Sequence, residues 1–156
     1  MSGELATLEV SARGRNVALV AARFNEPIVG RLLAAAVDSW DACGGERERL
    51  RIVRVPGAFE LPVVAQRLAG SGRYDAVVAL GCVIRGDTPH FDYVAGECAR
   101  GLQSANLATG VPVIFGVLTV ETLAQAEARA GPGADNKGAE AMRSALEMAE
   151  LMARLS

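Results

Sequence analysis

The residues that could do chemistry in this chain are concentrated in the stretch GCVIRGDTPHFDYV, residues 81–94, which contains the only histidine, His90. A histidine side chain can accept or release a proton near neutral pH, so it can act as a general acid or base. Thr88 and Pro89 stand directly before it, and this pair predicts an N-cap followed by a proline in the first turn of a helix. We therefore interpret His90 as a candidate proton-transfer residue at a helix entrance.

The same loop has the features of an anion site. The backbone amides of Gly86, Asp87 and Thr88 lead into the positive end of the predicted helix, an arrangement that binds phosphate and other anions. The carboxylate of Asp87 would repel an anion, so we expect only its amide to contribute. The alternative, that His90 is a surface histidine at the start of a helix, stays open on these residues alone.

Two other loops combine an aromatic ring with a polar side chain. The motif RFNEP places Phe24 next to Asn25, and the motif PGAFELP places Phe59 next to Glu60. A phenyl ring can stack on a flat heterocycle, and the amide or carboxylate beside it can form hydrogen bonds with polar groups of the same ligand. The alternatives are an ordinary loop at RFNEP, and a turn with a core phenylalanine and an acidic helix start at PGAFELP.

Three further residues have simpler interpretations. Arg129 in EARAG and Lys137 in DNKG have no cluster of charged partners in the sequence, so each is interpreted as a solvated cation. Phe115 in VIFG is interpreted as a core residue.

The elements that must position these residues alternate regularly. A short continuous apolar run at residues 16–22 predicts a parallel strand covered on both faces, and further strands are predicted at residues 50–55, 76–84 and 113–117. Helical spacing predicts helices at residues 28–43, after PGAFELP to Gly70, at 91–108, in TLAQAEARAG up to Gly131, and at 137–155. This alternation predicts an α/β fold with a parallel sheet between helices and right-handed crossovers. Ligands bind such sheets at the carboxyl ends of the strands, so RFNEP, PGAFELP, RGDTPH and LTVET should carry the function.

Composition excludes several classes of function. The chain has 156 residues, which suits one domain, and 51% are hydrophobic while only 4% are aromatic. The net charge of −2 and the absence of a Lys/Arg tract argue against nucleic-acid binding. No apolar run approaches the ~20 residues of a membrane helix, and no export signal is visible, so we expect a cytoplasmic protein. The three cysteines lack C-x-x-C spacing and are interpreted as reduced small hydrophobes: Cys43, Cys82 and Cys98.

Known catalytic signatures are also missing. The chain has no G-x-G-x-x-G, no P-loop and no G-x-S-x-G, and its one histidine with scattered acids predicts no metal cluster. The residues alone thus indicate a site for a phosphorylated small molecule beside a flat ring.

Five motifs in order carry a resemblance to a known family. RFNEPIVGRLL, VPGAFELP, GCVIRGDTPHFDYV, GVPVIFGVLT and ARAGPGADNKG together resemble the 6,7-dimethyl-8-ribityllumazine synthase family, from about Asn16 to the C-terminus. The resemblance implies a single domain, residues 1–156, with a flavodoxin-like three-layer α/β/α sandwich and a four-stranded parallel sheet; residues 1–15 would be an extended N-terminal segment. It also implies a cofactor-independent transferase of riboflavin biosynthesis, which condenses 5-amino-6-(D-ribitylamino)uracil with 3,4-dihydroxy-2-butanone 4-phosphate.

The resemblance assigns a role to each candidate residue. Phe24 matches the aromatic that stacks on the pyrimidine, while Asn25 and the segment Ala58, Phe59 and Glu60 match the contacts to the ribityl chain. The strand end matches the backbone that meets the pyrimidine edge: Cys82, Val83 and Ile84.

The remaining candidate residues match residues that bind the phosphate, transfer protons or reach the site from a neighbouring subunit. Asp87 and Thr88 match the loop that holds the phosphate, and His90 matches the proton-transfer residue. The last three residues match groups that reach the site from a neighbouring subunit, with the arginine on the phosphate: Phe115, Arg129 and Lys137. The cysteine at position 82 and the acid at position 87 are minor departures, since backbone contacts tolerate both.

A shared site implies a homo-oligomer. The family implies pentamers, which in some members assemble into an icosahedral shell of 60 subunits, and the short loop GPGADNKG favours the shell. Riboflavin synthase is a candidate partner. The alternatives are a flavin-binding carrier without turnover, a purely structural shell protein, and an archaeal-type riboflavin synthase, whose motifs match less well.

Overall fold

The computed structural model describes residues 3–6 and 8–156. Four strands alternate with the first helices: β1 (Val17–Ala22), β2 (Leu50–Val55), β3 (Ala76–Ile84) and β4 (Val113–Val120). The α-helices are α1 (Glu26–Ala42), α2 (Leu61–Ala69), α3 (His90–Thr109), α4 (Leu123–Arg129) and α5 (Lys137–Arg154). Two 3₁₀ turns, Arg47–Arg49 and Ala58–Glu60, lie before and after β2.

The strands form one parallel sheet in the order β2-β1-β3-β4. Every residue of β1 is buried, because this strand lies between two others and is covered on both faces. This arrangement confirms the predicted α/β fold and is that of a flavodoxin-like three-layer sandwich. It places the carboxyl ends of β2, β1 and β3 side by side at one edge of the sheet.

Alternate residues of the strands point into two separate cores. Leu19 and Val78 belong to the core under α1, α4 and α5, while Val20 and Val77 belong to the core under α2 and α3. The period of two along each strand sends neighbouring side chains to opposite faces, so a continuous apolar run supplies both cores.

The helices on one face approach each other unusually closely. A Cβ atom added at Gly138 of α5 would lie 2.0 Å from the carbonyl oxygen of Leu32 in α1. Only glycine leaves enough space for the two backbones to meet there. The close contact brings the start of α5, and with it Lys137, against α1.

Most predicted ends of helices and strands lie within two residues of the observed ends, and two differences change the loops assigned to the site. Strand β4 continues to Val120, which pairs with Ile84, so only Glu121 and Thr122 of LTVET remain as a loop. The helix α3 starts at His90 with Pro89 as its N-cap, and Thr88 lies one position too early to be the cap. The Thr88 hydroxyl instead accepts a hydrogen bond from the amide of His90, at 3.4 Å.

Within residues 3–6 and 8–156, no helix is long and apolar enough to cross a membrane.

Candidate active site

A cleft of about 680 Å³ opens where β1, β2 and β3 end. Its lining includes the candidate residues from all three loops: Phe24, Asn25, Ala58, Phe59, Glu60, Cys82, Val83, Ile84, Thr88 and His90. Asp87 is exposed and does not line the cleft. The structure thus brings together side chains that are up to 66 positions apart in the chain, from Phe24 to His90, because the parallel strands end at the same edge.

The RFNEP loop is held to the strands on both sides of β1. The amide of Phe24 donates to the carbonyl oxygen of Pro56 at 3.0 Å. Asn25 adopts the left-handed conformation, with φ 62°, and its side-chain amide donates to the carbonyl oxygen of Cys82 at 2.7 Å. These contacts leave the phenyl ring of Phe24 70% exposed at the cleft.

The second aromatic ring also faces outward. The 3₁₀ turn Ala58–Glu60 buries Ala58 and leaves Phe59 57% exposed, so the interpretation of Phe59 as a core residue was wrong. Two exposed phenyl rings now lie on one cleft, and such apolar surface is stabilised when a flat ligand covers it.

The loop before His90 offers backbone N–H groups as hydrogen-bond donors to a ligand. Its amides at Gly86, Asp87 and Thr88 donate no hydrogen bond within the described part of the chain. They lie directly before α3, whose positive N-terminal end favours an anion. The imidazole of His90 is exposed on the first turn of the same helix, next to these donors.

The thiol of Cys82, near the end of β3, is a poor nucleophile. Burial raises the pKa of Cys82 from 9.0 to about 11, because a thiolate would be poorly solvated there. The side chain is therefore a neutral thiol at physiological pH and an unsuitable nucleophile. Only its backbone is expected to meet a ligand.

The three remaining candidates form a second, smaller cleft of about 280 Å³ along β4: Phe115, Arg129 and Lys137. Phe115 is 47% exposed on this edge strand, so its interpretation as a core residue was wrong. Arg129 donates to the carbonyl oxygen of Gln125 at 3.0 Å, and Lys137 pairs with Glu140 at 3.1 Å. The two clefts share no lining residue among those that the structure describes.

Helix caps determine where the two helices that carry the cations of the second cleft begin. Thr122 and Gln125 form a capping box that starts α4, the helix that ends with Arg129. The buried side chain of Asn136 accepts hydrogen bonds from Gly138 and Ala139 and starts α5 at Lys137. Both cations therefore stand on helix ends with defined positions.

Some residues of the first cleft were missed by sequence reasoning: Pro56, Gly57, Phe91, Tyr93 and Val94. Tyr93 and Val94 lie three and four positions after His90. Residues at these spacings share one face of a helix, so the helical period was a signal that could have identified them. Pro56 and Gly57 directly precede the identified residue Ala58 in the same turn.

Comparisons with known proteins point in one direction. The family model described as 6,7-dimethyl-8-ribityllumazine synthase matches residues 14–153. A protein of that name from Halorhodospira halophila is 56% identical over 146 residues, covering 94% of each chain. Another, from Nitratidesulfovibrio vulgaris strain Miyazaki F, is 53% identical over 147 residues, again covering 94% of each chain. The matched region contains every candidate site residue.

Proposed function

The chain belongs to the 6,7-dimethyl-8-ribityllumazine synthase family. We propose that the two clefts, contributed by neighbouring copies, together form the active site that produces 6,7-dimethyl-8-ribityllumazine. The protein is a transferase of riboflavin biosynthesis. It condenses 5-amino-6-(D-ribitylamino)uracil with 3,4-dihydroxy-2-butanone 4-phosphate, with loss of phosphate and water. The observation that carries this function is the similarity over 94% of the chain, at 56% identity, to a protein named for the reaction.

We assign the pyrimidine to the aromatic end of the first cleft. The exposed ring of Phe24 offers a stacking face, and the backbone of Cys82, Val83 and Ile84 can meet the polar edge of the heterocycle. The polyhydroxylated ribityl chain needs several donors and acceptors. These come from the neighbouring segment, in which Asn25, Ala58, Phe59 and Glu60 line the cleft.

The phosphate belongs to the loop before α3. The free amides of Asp87 and Thr88, the Thr88 hydroxyl and the positive helix end suit a phosphate dianion, while the Asp87 carboxylate stays outside the cleft. His90 then lies beside the leaving group. It transfers protons while the amine forms an imine with the ketone and while phosphate is eliminated, a contribution of roughly 10²–10⁴-fold in rate.

Holding both substrates in one cleft supplies the remaining acceleration. The condensation joins two molecules, and a shared site makes the encounter effectively unimolecular. The side chains described here provide stacking, hydrogen bonding and proton transfer, and the proposed mechanism draws on no metal and no cofactor.

The second cleft completes the site of a neighbouring copy. Phe115, Arg129 and Lys137 present a ring and two cations on the edge strand β4 and the helix ends beside it, away from His90. Arg129 would hold the phosphate from the side opposite the loop amides. We propose that copies of this single-domain chain form a cytoplasmic pentamer, that pentamers assemble into a 60-subunit shell, and that riboflavin synthase is a partner.

Mixing the purified protein with both substrates tests the function directly. Faster growth of lumazine absorbance than in the uncatalysed mixture, with a slower rate for His90→Ala, would support the synthase. No acceleration, together with tight binding of a flavin or lumazine, would refute the proposal in favour of a carrier.

A further inference from the structure

The side chain of Arg85 contacts residues on both sides of the phosphate loop. Arg85 is the first residue after β3, and its Nη2 donates to Oδ1 of Asp92 at 3.1 Å. Its Nε lies 2.8 Å from Oε2 of Glu121, and its guanidinium carbon lies 4.5 Å from the ring centroid of Phe91. One side chain therefore connects the end of β3, the first turn of α3 and the residue after β4.

These contacts lie on both sides of residues 86–89, a segment that forms few hydrogen bonds of its own. Residues 86–89 are exposed, and the amides of Gly86, Asp87 and Thr88 donate no hydrogen bond within the described part of the chain. The hydrogen bond from the amide of His90 to the Thr88 hydroxyl is long, at 3.4 Å. The segment directly follows Arg85, and only His90 separates it from Phe91 and Asp92, the two α3 residues that Arg85 contacts.

We propose that Arg85 is a positioning residue, which fixes His90 and the loop amides relative to the strand ends without touching the substrate. This inference rests on the proposed function, because it assumes that His90 transfers protons during the condensation. Phe91 and Asp92 follow His90 on the same helical turn, so holding them holds the imidazole. The partner Glu121 ties the arginine itself to the end of β4.

Only arginine can make all three contacts. Its planar guanidinium donates in two directions and stacks on a ring at the same time, whereas a lysine ammonium is a single point charge. The side chain is partly exposed, and exposed ion pairs contribute little to global stability. Loss of Arg85 should therefore loosen the loop and leave the rest of the fold intact.

Arg47 provides a matched control. It forms a two-pronged ion pair with Asp41, with both N–O distances 2.8 Å, and it lies before β2, at the edge of the sheet opposite the cleft. The Arg47→Ala variant removes an exposed arginine and its ion pair with Asp41, and it leaves the loop before His90 unchanged.

The test combines kinetics with hydrogen exchange. For Arg85→Ala we expect kcat to fall by about 100-fold, as for a displaced catalytic group, while KM for the pyrimidine changes by less than about threefold. Arg85→Lys should recover part of the loss. Amides in the first turns of α3, residues 92–96, should exchange faster in Arg85→Ala, with the melting temperature within about 2 °C of wild type. Arg47→Ala should change none of these values.

Two results would overturn the inference. Unchanged kcat in Arg85→Ala would show that the contacts do not position the chemistry, whatever the exchange data show. A fall in kcat without faster amide exchange at residues 92–96 would show that Arg85 acts otherwise, for example on the substrate itself. Exchange does not depend on turnover, so an inactive wild type would refute the proposed function while the exchange result still decides whether Arg85 holds the loop.

Discussion

The side-chain amide of Asn25 lies 2.7 Å from the carbonyl oxygen of Cys82 and donates a hydrogen bond to it. The contact joins the loop after β1 to the end of β3, between the stacking ring of Phe24 and the backbone assigned to the pyrimidine edge. Asn25 makes it in the left-handed conformation, with φ 62°. Asparagine tolerates this conformation better than most residues with a Cβ atom, so the same side chain satisfies both requirements.

Replacement of Asn25 separates these two requirements. Asn25→Ala loses the hydrogen bond and strains the backbone, and we expect a loss of about 2–3 kcal/mol in the free energy of unfolding. Asn25→Gly loses only the hydrogen bond and should cost about 1 kcal/mol. Denaturant unfolding at one fixed protein concentration measures both. Equal losses for the two variants would show that backbone strain plays no part.

Replacement of His90 should slow the reaction and leave the fold unchanged, because the imidazole is exposed. We expect kcat for His90→Ala to fall by roughly 10²–10⁴-fold, the usual contribution of a positioned acid or base. The rate of lumazine formation is the measurement, and Arg47→Ala is the matched exposed-residue control. Full activity in His90→Ala would remove the proton-transfer role.

Replacement of Arg129 should mainly weaken use of the butanone phosphate. A charge-assisted contact to phosphate is worth about 2–3 kcal/mol, so KM for this substrate should rise by roughly 30- to 150-fold in Arg129→Ala. KM for the pyrimidine should stay nearly constant, since Arg129 lies in the other cleft. Unchanged kinetics would mean that the phosphate site is misassigned.

Mixed oligomers test whether the clefts come from different copies. Arg129→Ala and Phe24→Ala each damage one cleft, so exchange of subunits between the two impaired variants should restore some sites with both clefts intact. We expect partial recovery of activity after mixing, measured by lumazine absorbance, and none when a variant is mixed with itself. Absence of recovery in samples with demonstrated exchange would argue against a shared site.

Replacement of Gly138 should damage the contact between α1 and α5. A Cβ atom there would lie 2.0 Å from the Leu32 carbonyl oxygen, so the two backbones must separate, and we expect Gly138→Ala to cost about 1–3 kcal/mol or more. Gly30→Ala is the control in the same helix pair, because its nearest neighbour would be 3.6 Å away. That change should raise stability by up to about 1 kcal/mol. Thermal unfolding measures both, and equal behaviour would contradict the close approach.

The buried thiols should resist alkylation. Burial raises the pKa of Cys82 and of Cys98 from 9.0 to about 11, so both stay protonated at pH 8, whereas Cys43 is partly exposed. Iodoacetamide at pH 8 should label Cys43 first, as read by mass spectrometry. In the unfolded chain these thiols release their protons above about pH 9 while the folded chain keeps them, so stability should fall as pH rises from about 9 to 11. Equal labelling of all three cysteines would contradict the burial.

Much of the fold could be predicted because burial leaves a local pattern. The bounds of β2 and β3 were predicted correctly, because β3 is a continuous apolar run and the β2 segment LRIVRV ends directly before the turn at Pro56. The bounds of β4 were not, because Thr119 is polar and exposed while the strand continues through its pairing with Val83. A strand's length depends on its neighbour in the sheet, which the local pattern does not contain.

By itself the sequence determined the order of the elements, the α/β class and the loops that carry the chemistry, because hydrophobic periodicity and turn residues act over a few positions. Only the tertiary structure decided that Phe59 and Phe115 point outward, that the candidates divide between two clefts, and that Arg85 meets Glu121. These relationships depend on strand order and on helix packing between distant segments. Contacts between residues far apart in the chain leave no periodic signal, so the folded sheet alone brings them together.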